Sequence, residues 1–239
     1  MLVAPPPLED VVRATMLAGG PRPQSIIASG YFINTRGDLL TNAHAVVACR
    51  ELYVVGPDRD PVPATLLAVD TRIDAAILRV KGVGPVPYLS LRSGLPDYGG
   101  TVSVIGFPSD RAYDERALIQ GGKLEEGPPG RRSMLVVSAD LDPGQSGSPI
   151  IGPDGYVSAM VVGRMGDNRN LTVATSSDAL ARFAAYAGLV DNSGIVPIQR
   201  FQPIGTDMDQ KWLPGSPRLL MNRQVLENMS GAVTRVECR

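Results

Sequence analysis

Histidine is almost missing from this 239-residue chain, which has one, His44, together with two cysteines, Cys49 and Cys238, and one tryptophan. One His and two Cys cannot supply the usual four ligands of a structural zinc site, so neither metal nor cofactor is expected. The two sulfurs leave two readings open: a Cys49–Cys238 disulfide, which would imply an oxidising compartment, or two unpaired thiols. Lysine is scarce as well, with three against 20 arginines; net charge is −1 and no basic run stands out. That excludes the electrostatic footprint of a nucleic-acid binder. No apolar run approaches the length of about 18 residues that spans a membrane. Residues 1–10 lack both a positive n-region and an apolar h-region, so they do not read as a signal peptide. The expected location is the cytoplasm, or the periplasm or exterior if a leader has been removed.

The chain does have enough apolar residues, 44%, for a substantial core. Its length suits one large domain or two small ones. Residues 10–18 read as a first strand, stopped by Gly19-Gly20-Pro21-Arg22-Pro23. Residues 25–33, a turn at Asn34-Thr35-Arg36-Gly37-Asp38, and residues 39–41 form a hairpin signal. Further short strands are expected at 52–55, 63–69, 75–80, 101–105, 117–123, 134–138, 148–151, 156–162 and 171–174, separated by Gly, Pro and Asp turns. Their spacing predicts an all-β protein of two halves, about 10–90 and 95–175. A helix over 176–187 follows capping residues at 175–178 and ends at Gly188. Residues 191–239, with Trp212, four prolines and a short helix near 218–229, are too few for an independent domain and are expected to pack on the barrel or remain irregular.

Three short contexts carry chemistry. His44 stands in Leu39-Leu40-Thr41-Asn42-Ala43-His44-Ala45, Asp74 in Arg72-Ile73-Asp74-Ala75-Ala76-Ile77-Leu78, and Ser146 in Pro143-Gly144-Gln145-Ser146-Gly147-Ser148-Pro149. A serine hydroxyl becomes a useful nucleophile only when a base takes its proton, and the base needs an orienting partner. An acid, an imidazole and a hydroxyl are the parts of an acyl-transfer site.

In these segments the chain resembles the trypsin-like (chymotrypsin-fold) serine proteases, above all the bacterial HtrA/Deg branch. Ser29-Gly30-Tyr31-Phe32-Ile33 through Thr41-Asn42-Ala43-His44 matches that branch's S-G-F-I-I…T-N-x-H pattern. Asp70-Thr71-Arg72-Ile73-Asp74-Ala75-Ala76-Ile77-Leu78 matches D-x-x-x-D-h-A-h-L and selects Asp74 over Asp70 as the acid. Pro143 to Pro149 matches P-G-x-S-G-x-P. Three departures stand out. Ser148 occupies a usual glycine, Gln145 replaces a common Asn or Asp, and the residues after the helix are too few for a PDZ domain, so peptide-regulated cage assembly is not implied.

The resemblance implies a double six-stranded antiparallel β-barrel and a serine endopeptidase acting on protein or peptide substrates through His44, Asp74 and Ser146. It also implies an oxyanion hole from the N–H groups of Gly144 and Ser146, and substrate pairing along Met160, Val161, Val162 and Gly163. Asp140 lies six residues before Ser146, where trypsin carries the acid that binds Arg or Lys. Either it sets a basic preference, or it bonds the loop and the site prefers small or aliphatic side chains. An α/β-hydrolase is excluded because no histidine follows Ser146. The remaining alternatives are a catalytically silent protease-fold binding or regulatory module, and a latent protease whose Gly144 loop is held inactive by residues 191–239 or by a partner.

Overall fold

The computed structural model describes residues 26–56, 60–94, 96–109, 117–165, 168–189 and 223–239. Twelve strands form two closed barrels. The first contains β1 (Ile26–Phe32), β2 (Asp38–Thr41), β3 (Leu52–Val55), β4 (Pro61–Asp70), β5 (Ala75–Val80) and β12 (Val233–Cys238). The second contains β6 (Thr101–Gly106), β7 (Leu118–Glu126), β8 (Met134–Ser138), β9 (Pro149–Ile151), β10 (Val157–Met165) and β11 (Asn168–Ser176). Every ladder between named strands is antiparallel. Helix α1 (Ser177–Tyr186) follows β11, its first turn capped by the Ser176 hydroxyl accepting from the Ala179 N–H; α2 (Arg223–Ser230) precedes β12.

The period of two along each strand divides the apolar residues among three cores. On β1, Ala28 and Phe32 point into the first barrel with Leu39, Val54, Leu78 and Val236. Tyr31 of the same strand, and Ile33 just after it, point outward into the seam between the barrels. On β6, Val104 fills the second barrel with Leu124, Val137 and Ile150, while Ile105 faces the seam. Phe183 and Leu180 of α1 and Leu226 and Met229 of α2 also pack in the seam. A closed barrel leaves no unpaired edge, and burying both faces of one wall makes the two barrels a single packed unit.

The chain's last strand closes its first barrel. β12 inserts between β1 and β3, pairing Ala28 with Val236 and Val54 with Val236 across its two edges. Within 191–239, expected to pack on the barrel or remain irregular, residues 233–238 are a wall of the barrel itself; the strand expected at 10–18 and Trp212 lie outside the described residues. The local signal for β12 is the β-branched run of Val233, Thr234 and Val236, and its partners on β1 and β3 lie far away in sequence. Cys49 and Cys238 are joined as a disulfide with a Cα–Cα distance of 5.3 Å, which settles the open question of the sulfurs. It fastens the end of β12 to the turn that carries His44.

Among the described residues no helix is long and apolar enough to cross a membrane.

Candidate functional site

β2 runs through Leu40 and Thr41 into a tight turn closed by the Val46 and Val47 N–H groups on the Ala43 carbonyl. That turn lifts His44 out of the sheet, and its side chain is 50% exposed. Asp74 stands in the turn between β4 and β5 with φ of 50°, the one non-glycine residue of positive φ among those described. Aspartate tolerates this region better than most side chains. Neighbours hold the strained turn from both barrels. The Asn42 amide donates to the Asp74 carbonyl at 3.0 Å, and the Thr175 hydroxyl of β11 donates to the Ile73 carbonyl at 2.7 Å.

The turn aims the Asp74 carboxylate at His44 twice. Oδ1 accepts from the His44 backbone N–H at 2.9 Å, and Oδ2 lies 2.6 Å from Nδ1. A carboxylate accepts and does not donate, so the imidazole proton sits on Nδ1 and Nε2 is left as the basic nitrogen. Asp70 is committed elsewhere. Its carboxylate takes a fork from Arg72, Nε at 3.0 Å and a terminal nitrogen at 2.7 Å, and that bonding raises the arginine pKa further.

Ser146 lies in the loop between β8 and β9. Its hydroxyl donates to the Val162 carbonyl at 3.0 Å and makes no hydrogen bond to His44 in this conformation. Val162 is at a register shift of the β10–β11 ladder, which skips from Val161 to Gly163 and leaves that carbonyl open to the serine.

The backbone around Ser146 is bonded in a distinctive pattern. The Pro143 carbonyl accepts from Ser109 N–H at 2.7 Å, the Gly144 carbonyl from the Ser29 hydroxyl at 3.0 Å, the Gln145 carbonyl from Ser148 N–H at 3.0 Å and the Ser146 carbonyl from Ser29 N–H at 2.7 Å. The Gln145 and Gly147 N–H groups donate to the carbonyls of Asp142 and Val161. Among the described residues, no acceptor takes the N–H of Gly144 or of Ser146. A trans peptide points its C=O and N–H in opposite directions, so pinning the Pro143 carbonyl on Ser109 turns the Gly144 N–H the other way. Glycine is required at 144, where φ is +92° and a Cβ would stand 2.4 Å from the Ser109 nitrogen.

The sequence departures find their partners here. Gln145 is fully buried; its side-chain oxygen accepts from Asp142 N–H at 2.7 Å and its amide donates to the Gln120 side chain at 2.6 Å. Gln120 in turn donates to the Asp140 carbonyl at 2.8 Å. Asp140 is exposed, and among the described residues its carboxylate has no partner; only its backbone joins the loop. Ser148 fits because Gly106 faces it: a Cβ on Gly106 would fall 1.8 Å from the Ser148 hydroxyl oxygen. Among the described residues that hydroxyl is buried without a partner.

Gly106→Ala should therefore cost about 1–3 kcal/mol of stability as an overpacked substitution. Ser148→Gly in the same chain should recover most of that loss. A double-mutant cycle by denaturant unfolding measures the coupling, and additivity within about 0.5 kcal/mol would contradict the packing account. Among the described residues no three His, Cys, Asp or Glu side chains converge as metal ligands would.

Comparison with known proteins agrees with this architecture. The family model described as "Trypsin-like peptidase domain" matches residues 28–160. Serine protease Rv3671c of Mycobacterium tuberculosis is 29% identical over 205 residues, covering 82% of this chain and 48% of the relative. Serine endoprotease DegS of Escherichia coli is 25% identical over 128 residues, covering 52% of this chain and 36% of the relative. The chain thus spans about half the length, or less, of these curated relatives. A crystal structure of the Rv3671c protease in an inactive form superposes with a TM-score of 0.56 at 26% identity, over 79% of this chain and 100% of that one. The serine endoprotease of Yersinia pestis, at 18% identity, matches in fold with the same TM-score of 0.56 over 77% of this chain and 68% of its own. With more than half of its length matched by the family model and both barrels closed, the chain belongs to the trypsin-like peptidase family, and its fold is chymotrypsin-like.

Proposed function

We propose that the chain is a serine endopeptidase that cleaves protein or peptide substrates through an acyl-enzyme on Ser146. The observation that carries this reading is the pair of N–H groups, Gly144 and Ser146, unclaimed among the described residues and flanking a hydroxyl in a loop whose four carbonyls from Pro143 to Ser146 are bonded. Two fixed donors with no acceptor of their own suit an oxygen that becomes negative only during reaction. The 2.6 Å contact of His44 with Asp74 adds the oriented base.

A substrate strand laid along Met160, Val161, Val162 and Gly163 supplies an N–H that takes over the Val162 carbonyl. The Ser146 hydroxyl, released from that carbonyl, rotates about χ1 toward His44 Nε2. As Oγ bonds to the scissile carbon its proton passes to Nε2, and the carbonyl electron pair moves onto the oxygen held by Gly144 and Ser146 N–H. Asp74 stabilises the imidazolium. The C–N bond then breaks, Nε2 returns the proton to the leaving amine, and water repeats the sequence to free the acid. Asp140, with an unpaired carboxylate in the loop before Ser146, favours basic side chains at the cut.

A fluorophosphonate probe tests the reading: the wild-type chain should be labelled at Ser146, and Ser146→Ala should not. A peptide library incubated with both chains should show cleavage by the first alone, enriched after Arg or Lys. A folded wild type that takes no label would overturn the assignment.

A further inference from the structure

Ser29, on β1 of the first barrel, faces the loop of the second barrel that carries Ser146, and all of its polar groups are engaged. Its hydroxyl accepts from the Phe107 N–H at 2.9 Å and donates to the Gly144 carbonyl at 3.0 Å. Its N–H donates to the Ser146 carbonyl at 2.7 Å, and its own carbonyl accepts from the Thr41 hydroxyl at 2.8 Å. Thr41 ends the strand that leads into His44. The side chain is fully buried, and period-two alternation with Tyr31 places it on the seam face of β1. The fit is close: a Cβ on Gly147, where φ is +84°, would lie 2.0 Å from the Ser29 carbonyl oxygen.

We infer that Ser29 is a positioning residue: it pins the Gly144–Gln145 peptide, the link between the two peptides that carry the Gly144 and Ser146 N–H groups, and so keeps both groups aimed into the cleft. The inference rests on the endopeptidase reading and adds to it a device spanning both barrels. The Gly144 carbonyl could otherwise turn toward the cleft, because glycine has no side chain to oppose a peptide flip. The hydroxyl hydrogen bond opposes that flip, and the Phe107 N–H fixes the hydroxyl as a donor toward Gly144. Alanine at 29 removes the donor and leaves both the Phe107 N–H and the Gly144 carbonyl without a partner. The backbone bonds of residue 29 to Ser146 and Thr41 survive the substitution, so the loss falls on the Phe107 N–H and the Gly144 carbonyl.

Ser29→Ala is compared with wild type in the full chain for fluorophosphonate labelling rate, for kcat and KM on a peptide from the library, and for thermal melting. Removing one oxyanion donor outright costs about 10²–10³-fold in rate. Loosening one should lower the labelling rate and kcat by about 10- to 100-fold, with KM changed less than about threefold. A merely structural serine would lower the melting temperature and leave labelling per folded molecule unchanged, and that result overturns the inference. Ser29→Cys keeps the shape with a weaker donor. It should fall between the two chains, and it decides the question by the same criterion if the alanine variant does not fold. Wild type without label overturns the endopeptidase reading and this inference with it; labelled wild type with equally labelled variants overturns this inference alone.

Discussion

A chain ending at residue 222 should lose its cooperative melt and aggregate, although every residue proposed for the chemistry would still be present. The missing segment contains Leu226, Met229, Val233 and Val236, each at most 5% exposed. At about 2 kcal/mol per buried side chain their loss removes roughly 8 kcal/mol. The Cys49–Cys238 bond contributes typically about 2–4 kcal/mol more. Small domains are stable by only about 5–15 kcal/mol, so the deficit is of the order of the whole. The truncation also strips β1 and β3 of their shared neighbour, exposing two sheet edges that invite intermolecular pairing. The Cys49→Ser, Cys238→Ser double variant keeps the strand and should remain monomeric with a lower, still cooperative transition. Circular dichroism melts with size-exclusion chromatography distinguish the three chains. A truncated chain that melts cooperatively as a monomer would refute β12 as an essential wall. For the same reason, deleting 191–239 is no test of autoinhibition by an extension, since it removes part of the barrel that presents His44.

Asp74→Asn should reduce kcat by about 10⁴-fold while leaving the fold intact, the size of effect seen when the acid of a Ser-His-Asp triad becomes its amide. Asparagine tolerates φ of 50° as well as aspartate, and its side-chain oxygen can still accept from the His44 backbone N–H. What changes is the atom 2.6 Å from Nδ1. An amide NH₂ there requires Nδ1 to accept, which moves the ring proton to Nε2 and blocks proton uptake from Ser146. Asp70→Asn is the internal comparison. It weakens the Arg72 fork and should change kcat by less than about threefold. Labelling rates and melting curves of both variants decide the matter. Equal activity for Asp74→Asn and wild type would remove Asp74 from the reaction.

The fold was largely legible because its signals are local. Alternation and turn chemistry located most of the strands, and the contexts of His44 and Asp74 named two side chains that lie within bonding distance. The illegible parts depend on contacts distant in sequence. β12 pairs with strands about 180 and 200 residues away, a partnership that no window of residues encodes. Ser29 and Thr175 are ordinary strand residues until the second barrel is set against the first; their partners lie 115 and 102 residues away. Ser148 looked like an anomaly when read alone, and Gly106, 42 residues earlier, explains it. The rotamer of Ser146 is likewise set by a carbonyl on β10, which the motif around the serine does not contain.

Strand order also fixes a timetable of synthesis. The second barrel draws all six walls from residues 101–176 and can close while the chain is still being made. The first, which owns His44 and Asp74, waits for residues 233–238 to leave the ribosome. Until then His44 and Asp74 stand on an unfinished wall, and under the proposed function cleavage begins only once that last strand is in place.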